Sequence, residues 1–180
     1  MKSIAVFILA LVVSLGLVAG AGLPPWQIGM TAAQVAGLKN FGPYKSFSNG
    51  DLETFNGRLH GRKQNVQFYF QNGRLRRIAV NLGEGTDRKK AVAACEQLYE
   101  LLQRDYGGVT ISEDKSPRSA KAAAPGVQAI AATMNADVTG ITHLIPARQP
   151  AGMRVVGLVR SGMVGGQKWF YVTLNFDERA

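Results

Sequence analysis

Few side chains in this 180-residue chain could carry out acid–base or metal chemistry. The first candidates are His60, His143 and Asp51, if the fold brought them together. Neither histidine has another His, a Cys or paired carboxylates at the spacing of a metal site. A Ser-His-Asp arrangement stays open because its members need not be neighbours in sequence, although no Gly-x-Ser-x-Gly elbow is present. The residues favour a non-enzymatic protein without cofactor or metal, and an enzyme assembled from distant residues is the alternative.

Basic residues are the more prominent feature of the sequence. The formal net charge is +9, and between residues 58 and 90 only Glu84 and Asp87 oppose the cations. Such a charge attracts anionic partners over a long range. The alternative is an ordinary solvated face, as charge runs usually are. Six of these cations are the predicted partner-binding residues: Arg58, Arg62, Lys63, Arg74, Arg76 and Arg77.

The first 21 residues have the composition of a cleavable signal peptide. Lys2 supplies the positive charge, Ile4 to Val18 is apolar, and Ala19-Gly20-Ala21 provides the small residues of a cleavage site. The apolar run is about 15 residues, shorter than the ~20 that a spanning helix needs. No Cys follows it to accept a lipid. We therefore expect a periplasmic or secreted mature chain without an integral membrane segment, for which nucleic acid is not the partner.

Cys95 is the single cysteine and cannot form an intramolecular disulfide. Its spacing from Val92, Tyr99 and Leu102 places it on the apolar face of a predicted helix. A free Cys in that position behaves as a small buried hydrophobe. We therefore expect a structural thiol.

Hydrophobic periodicity predicts two main helices and several hairpins. The helices run from Thr31, with a Thr31/Gln34 capping box, to Lys39, and from Asp87 to Tyr106. Residues 112–126 read as an exposed loop, and 127–134 have an ambiguous helical spacing. The predicted strands and turns are Leu52–Phe55 with Arg58–His60 around Asn56-Gly57, Val66–Gln71 with Arg74–Leu82 around Asn72-Gly73, Val109–Ile111, Ile141–Ile145, and Met153–Arg160 with Lys168–Phe176 around a loop at 161–166.

A bulge at Arg76-Arg77 is required to keep Leu75 and Ile78 on one face of the central hairpin. Because hairpins dominate, the predicted class is α+β, an antiparallel sheet packed against the two main helices. Residues 22–180 are predicted to form one domain. Two divergent αβ units, 22–84 and 85–180, are an alternative organisation of the same residues.

The first half of the chain resembles the SmpA/OmlA outer-membrane assembly lipoproteins and the β-lactamase-inhibitor-protein fold. The matching residues are Ile28-Gly29-Met30-Thr31, Val35, Leu38, Gly42-Pro43, Phe68-Tyr69-Phe70, Asn72-Gly73, Leu75 and Ile78. The resemblance implies a helix opened by the Gly-Met-Thr step and packed on an antiparallel sheet, in a binding or assembly module without a catalytic site. The chain departs from those lipoproteins because it lacks a lipid-accepting Cys and continues with a second helix and further strands.

Export, basic clustering and the resemblance together lead to two functional hypotheses. The first is an exported, soluble, non-enzymatic binding or assembly protein that engages a protein or an anionic component of the bacterial envelope. The second is an inhibitor or immunity protein that blocks a secreted hydrolase.

Overall fold

The computed structural model describes residues 22–113 and 140–179. Of these residues, 55% lie in strands and 21% in helices, and one helix has seven or more residues. The protein is therefore mostly β, and the prediction of an α+β fold with two main helices is wrong. The predicted signal peptide at 1–21, most of the predicted loop at 112–126 and the pattern at 127–134 lie outside the described residues.

One antiparallel sheet of eight strands organises the described residues. Its strand order is β3-β4-β5-β6-β10-β9-β8-β7, so β6 and β10 meet at the centre. Within residues 22–113 and 140–179, each half thus contributes four strands in meander order, and the halves lie side by side. The bounds are β3 Tyr44–Ser46, β4 Leu52–Leu59, β5 Arg62–Gln71, β6 Arg74–Gly85, β7 Val109–Glu113, β8 Gly140–Pro146, β9 Met153–Val164 and β10 Gln167–Glu178, with a separate ribbon of β1 Gly22–Leu23 and β2 Trp26–Gln27.

The helices differ greatly in length. Helix α1 spans Ala32–Ala36 behind the predicted Thr31/Gln34 capping box, and a 3-10 turn, Lys39–Phe41, follows it. Gly37 ends α1 because glycine is a poor helix former. The predicted first main helix is therefore a single turn and a 3-10 turn. Helix α2 spans Arg88–Tyr106, with the Asp87 carboxylate accepting hydrogen bonds from two backbone N–H groups of its first turn, close to the prediction.

The two helices and the N-terminal segment cover one face of the sheet. Helix α2 packs on strands β6 to β10, and Gly83 and Gly157 let it approach closely, because a Cβ at Gly83 would lie 2.7 Å from the Ala94 Cβ. Over the first half, Trp26 takes this role, with its ring 4.9 Å from Phe41 and 5.0 Å from Phe68 between centroids. This face carries the hydrophobic core.

The hairpins follow the sequence signals in part. The Asn72-Gly73 turn joins β5 to β6, and the register shifts between Tyr69 and Phe70, where Arg76 is the extra residue, which confirms the predicted bulge. The turn predicted at Asn56-Gly57 is wrong, because those residues lie inside β4 at a second register shift. The turn of that hairpin is His60-Gly61, both with positive φ.

Burial of Cys95 confirms its predicted structural role. The thiol is 1% exposed among apolar neighbours, and burial, with a smaller contribution from Glu96, raises its pKa to about 12. The thiolate form that reacts with electrophiles is therefore scarce near neutral pH.

Candidate binding surfaces

The structure divides the six predicted partner-binding cations into two groups at opposite ends of β5. Arg58, Arg62 and Lys63 lie at the hairpin between β4 and β5, whereas Arg74, Arg76 and Arg77 follow the turn after β5. The nine residue steps from Arg62 to Gln71 correspond to about 30 Å of strand. One continuous basic patch is thus not formed by these six residues.

The group at the start of β6 is engaged in contacts within the protein. The Arg76 guanidinium pairs with Glu178, and Arg77 pairs with Asp177. Arg74 Nη1 donates a hydrogen bond to the Gly29 carbonyl oxygen at 3.2 Å. The two ion pairs join β6 to the end of β10, so these arginines bind the two halves of the sheet together.

The other group belongs to a cationic end, defined by Arg58, His60, Arg62, Lys63 and Arg104. Arg58 and Lys63 are direct cross-strand partners in the β4–β5 hairpin. Two like charges in that position destabilise a hairpin. The Arg58 Nη1 donates a hydrogen bond to the Gly61 carbonyl oxygen at 3.3 Å, which partly draws the guanidinium toward the turn.

Asp105 is the acidic member of this end of the molecule. Its Oδ2 lies 2.8 Å from His60 Nε2, and its Oδ1 accepts a hydrogen bond from Arg104 Nε at 2.8 Å. Hydrogen bonding to Arg104 is the main cause of the lowered pKa of Asp105, and it also raises the pKa of Arg104. The carboxylate therefore already contacts Arg104 and His60, and it has little capacity left to neutralise the other cations of this end, Arg58, Arg62 and Lys63.

His60 Nε2 faces two groups that require opposite hydrogen-bonding roles. Arg104 Nη2 lies 2.9 Å from the same nitrogen that approaches Asp105. A guanidinium is only a donor and a carboxylate only an acceptor, so Nε2 satisfies one of them at a time. The position of the ring proton of His60 therefore selects which contact is made.

A cleft of about 280 Å³ opens beside the cationic end. Its floor is apolar and its rim polar, and Gly22 and Pro24 also line it. Tyr106 stands at the rim with a raised pKa, caused first by burial and then by Asp105. The floor consists of Leu23, Leu59, Leu101, Leu174 and Phe176, and the rim of Arg58, His60, Asp105 and Tyr106.

A second cleft of about 430 Å³, which we call the polar cleft, lies at the opposite end of β4. Its lining combines aromatic rings, amides and one carboxylate. Sequence reasoning did not single it out, because its residues come from the loop after β3, from the start of β4 and from β5. The lining residues are Phe47, Ser48, Asn49, Asp51, Leu52, Gln67, Phe68 and Tyr69.

The sheet face opposite α2 and Trp26 carries polar and aromatic side chains, and we call it the open face. Alternation places Asn65, Asn81 and Thr173 in one cross-strand row, on the side away from Phe68 and Leu174. On the same face, the rings of Trp169 and Tyr171 stack with centroids 6.2 Å apart. These side chains are half-buried, so the face is neither an apolar core surface nor fully solvated.

The three catalytic candidates are not brought together. Asp51 and His60 flank opposite ends of β4, and His143 lies on β8, five strands away and thus about 24 Å distant at normal strand spacing. In residues 22–113 and 140–179, no group of three or more His, Cys, Asp or Glu side chains is arranged to hold a metal ion.

Comparison of the chain with protein families, with curated proteins and with solved structures finds no match in any of the three. Within the described part of the chain, none of the helices combines the length and the apolar character needed to cross a bilayer.

Proposed function

We propose that the protein is an exported, non-enzymatic binding protein of the bacterial envelope that holds an anionic group of its partner at the cationic end. The observation that carries the proposal is the Arg58–Lys63 cross-strand pair beside a cleft with an apolar floor. Export rests on the signal-peptide pattern of residues 1–21, and the resemblance to envelope assembly modules supports the class of function.

The cost of the like-charge pair supports binding rather than an ordinary solvated surface. Repulsion between Arg58 and Lys63 lowers stability unless an anion screens it. Asp105 is already bonded to Arg104 and lies close to His60. A bound phosphate or carboxylate would accept charge-assisted hydrogen bonds from the two hairpin cations. Stability given up at a local site is a common property of functional sites.

The apolar floor of the adjacent cleft indicates an amphipathic ligand. Leu59 and Leu101 line the base of this cleft and keep 7% and 6% of their surface exposed, which an aliphatic group of the partner would cover. A phosphate headgroup with its acyl chain, or an acidic side chain next to an apolar one, has this chemistry. The shared requirement is an anionic group within a few ångströms of an apolar one.

The test is binding of the purified protein, secreted from the full-length gene, to three kinds of ligand. These are vesicles of anionic phospholipid, vesicles of zwitterionic phospholipid, and envelope proteins captured on the immobilised protein. The proposal predicts binding that is lost in high salt, because charge attraction is screened, and lost in the Arg58→Ser/Lys63→Ser variant. Anionic vesicles or an acidic protein would identify the source of the anion. Binding that ignores both salt and the double substitution would refute the proposal.

The open face favours an inhibitor or immunity protein as the second candidate. Its exposed or half-buried Tyr69, Trp169 and Tyr171, with Arg77 and Arg160, are residue types that dominate the energy of protein interfaces. A sheet face of this size could cover the active-site entrance of a hydrolase. Capture of a single secreted hydrolase whose activity is lost on binding, and whose binding Trp169→Ala weakens, would support this function over the first.

A further inference from the structure

The polar cleft at the start of β4 is distant from the cationic end and is not used by the anion site proposed there. We propose that it is a binding site for a neutral oligosaccharide built of pyranose rings. Its volume of about 430 Å³ lies in the range of small-molecule sites. The inference stands on the side chains that line the cleft, independently of the anion site.

Two aromatic rings provide apolar surfaces in the cleft. Phe47 is 39% exposed and Tyr69 is 37% exposed, although large apolar side chains are usually covered. Each ring has a cation near it: Lys45 Nζ lies 4.9 Å from the Phe47 centroid, and the Arg77 guanidinium 6.0 Å from the Tyr69 centroid. These contacts restrain the rings. A pyranose ring has a C–H face that fits such a flat apolar surface.

The polar groups between the rings are fixed by hydrogen bonds within the protein. Asp51 Oδ1 accepts from the Phe70 N–H at 2.9 Å, and Asp51 Oδ2 accepts from the Asn49 side-chain amide at 2.7 Å. Tyr69 Oη donates to Gln67 Oε1 at 2.6 Å. Each of these groups has further hydrogen-bonding capacity. The cleft thus presents positioned donors and acceptors, as the vicinal hydroxyls of a sugar require.

Glu53 acts as a positioning residue for this arrangement. It is 8% exposed, and its Oε1 accepts from Gln67 Nε2 at 3.2 Å and from Asn65 Nδ2 at 2.9 Å. Among the described residues no Lys, Arg or His lies within ion-pair distance of it. Burying a carboxylate without a cation is costly. Its position is explained if it holds the Gln67 amide in one orientation toward the cleft.

The charges around the cleft favour a neutral ligand. Of the two cations that stand over the rings, Arg77 is already paired with Asp177, and Lys45 remains. The carboxylates of Asp51 and Glu53 accept hydrogen bonds from neighbouring groups of the protein. No excess of positive charge is left to select an anion, and both carboxylates are already hydrogen-bonded within the protein. Amides and aromatic rings that line one cleft are suited to polyhydroxyl compounds.

The test is a titration of the secreted protein, labelled with ¹⁵N, with cellotetraose and with the tetramer of N-acetylglucosamine. We expect shifts of the Asn49 and Gln67 side-chain amide resonances, and binding roughly tenfold weaker in Tyr69→Ala, the value of one lost aromatic contact. Tyr69→Phe keeps the ring and loses only the hydrogen bond to Gln67, so it should bind with an intermediate affinity. It also preserves the side-chain volume if Tyr69→Ala impairs folding.

Two control variants separate this site from the other surfaces. Tyr171→Ala removes the same residue type from the second half of the open face, and Lys63→Glu removes a cation of the proposed anion site. Both should bind the tetrasaccharides as the unchanged protein does. No resonance shift with either sugar at millimolar concentration, or equal binding by the unchanged protein, Tyr69→Phe and Tyr69→Ala, would overturn the proposal and leave the proposed function untouched.

Discussion

Lys63→Glu should stabilise the protein and weaken its anion binding at the same time. Lys63 stands directly opposite Arg58 in the β4–β5 hairpin. Directly opposed cross-strand residues have Cβ atoms about 5 Å apart. Two unit charges held about 5 Å apart in water would repel by about 0.8 kcal/mol. This is an upper value here, because the charges lie at the ends of long side chains and Arg58 bonds to the Gly61 carbonyl oxygen. Reversing one charge converts this repulsion into an attraction of similar size, before screening and side-chain entropy reduce both.

The net gain expected in the free energy of unfolding is about 0.5–1 kcal/mol at low salt, within the range of measured cross-strand and exposed ion pairs. Lys63→Ala removes the repulsion without adding an attraction and should fall between the two. Urea unfolding at low and high salt measures the effect, which should shrink as salt screens the charges. Binding to anionic vesicles, measured on the same samples, should be strongest for the unchanged protein, weaker for Lys63→Ala and weakest for Lys63→Glu.

The control for net charge is Lys90→Glu, on the first turn of α2. It changes the formal charge by the same two units, but it lies about 21 Å along the helix from Arg104. Its effect on vesicle binding should be small. If Lys63→Glu destabilises the protein, the charge repulsion inferred from the register is not present. If it binds anions as well as the unchanged protein, the cationic end is not the binding site.

Three further outcomes follow from the described contacts. Gly83→Ala would bring its Cβ to 2.7 Å from the Ala94 Cβ and should cost about 1–3 kcal/mol of unfolding free energy. Urea unfolding of the double variant with Ala94→Gly should show a loss smaller than the sum of the two single losses. Asp105→Asn should cost up to about 1 kcal/mol at pH 7. The pKa of Asp105 is lowered in the folded state, so this loss of unfolding free energy should be present above the pKa of the unfolded carboxyl and vanish as pH falls through the folded pKa. A loss that does not depend on pH would contradict the ion-pair assignment. Burial raises the pKa of Cys95 to about 12, so its thiol should resist iodoacetamide in the folded protein and react in urea. The neutral thiol also stabilises the folded protein. This contribution is complete below the pKa of the unfolded thiol and is lost as pH rises through about 12.

Local signals in the sequence were sufficient for the β5–β6 hairpin and for α2. Asn72-Gly73 specifies its turn because both residues tolerate positive φ, and the phase of Leu75 and Ile78 requires the bulge that β6 contains. Asn56-Gly57 has the same composition but lies within β4. There a Cβ at Gly57 would be 2.2 Å from Val66 Cγ2, so this glycine serves close packing between strands. Composition alone does not distinguish a turn from such a contact.

The length of the first helix and both clefts depend on contacts between distant residues. Trp26 covers the first half of the sheet, a role that helical periodicity assigned to the predicted helix at 31–39. The cationic end combines the β4–β5 hairpin with Arg104 and Asp105, some 45 residues later. The polar cleft needs the β4–β5 register, which sets Gln67 opposite Glu53. No single stretch of sequence contains these pairings.

The central seam between β6 and β10 has a consequence for how the chain reaches this structure. The ion pairs Arg76–Glu178 and Arg77–Asp177 link residues 102 and 100 positions apart, whereas the other pairings of the sheet join strands that follow one another among the described residues. Pairings within each meander span much shorter stretches of chain, the longest being Val109 with Pro146, whereas the seam requires closure of a longer loop, and such contacts are slow to form. Until it closes, β6 and β10 are both exposed sheet edges, and such edges are the parts of a sheet most prone to pairing with another molecule.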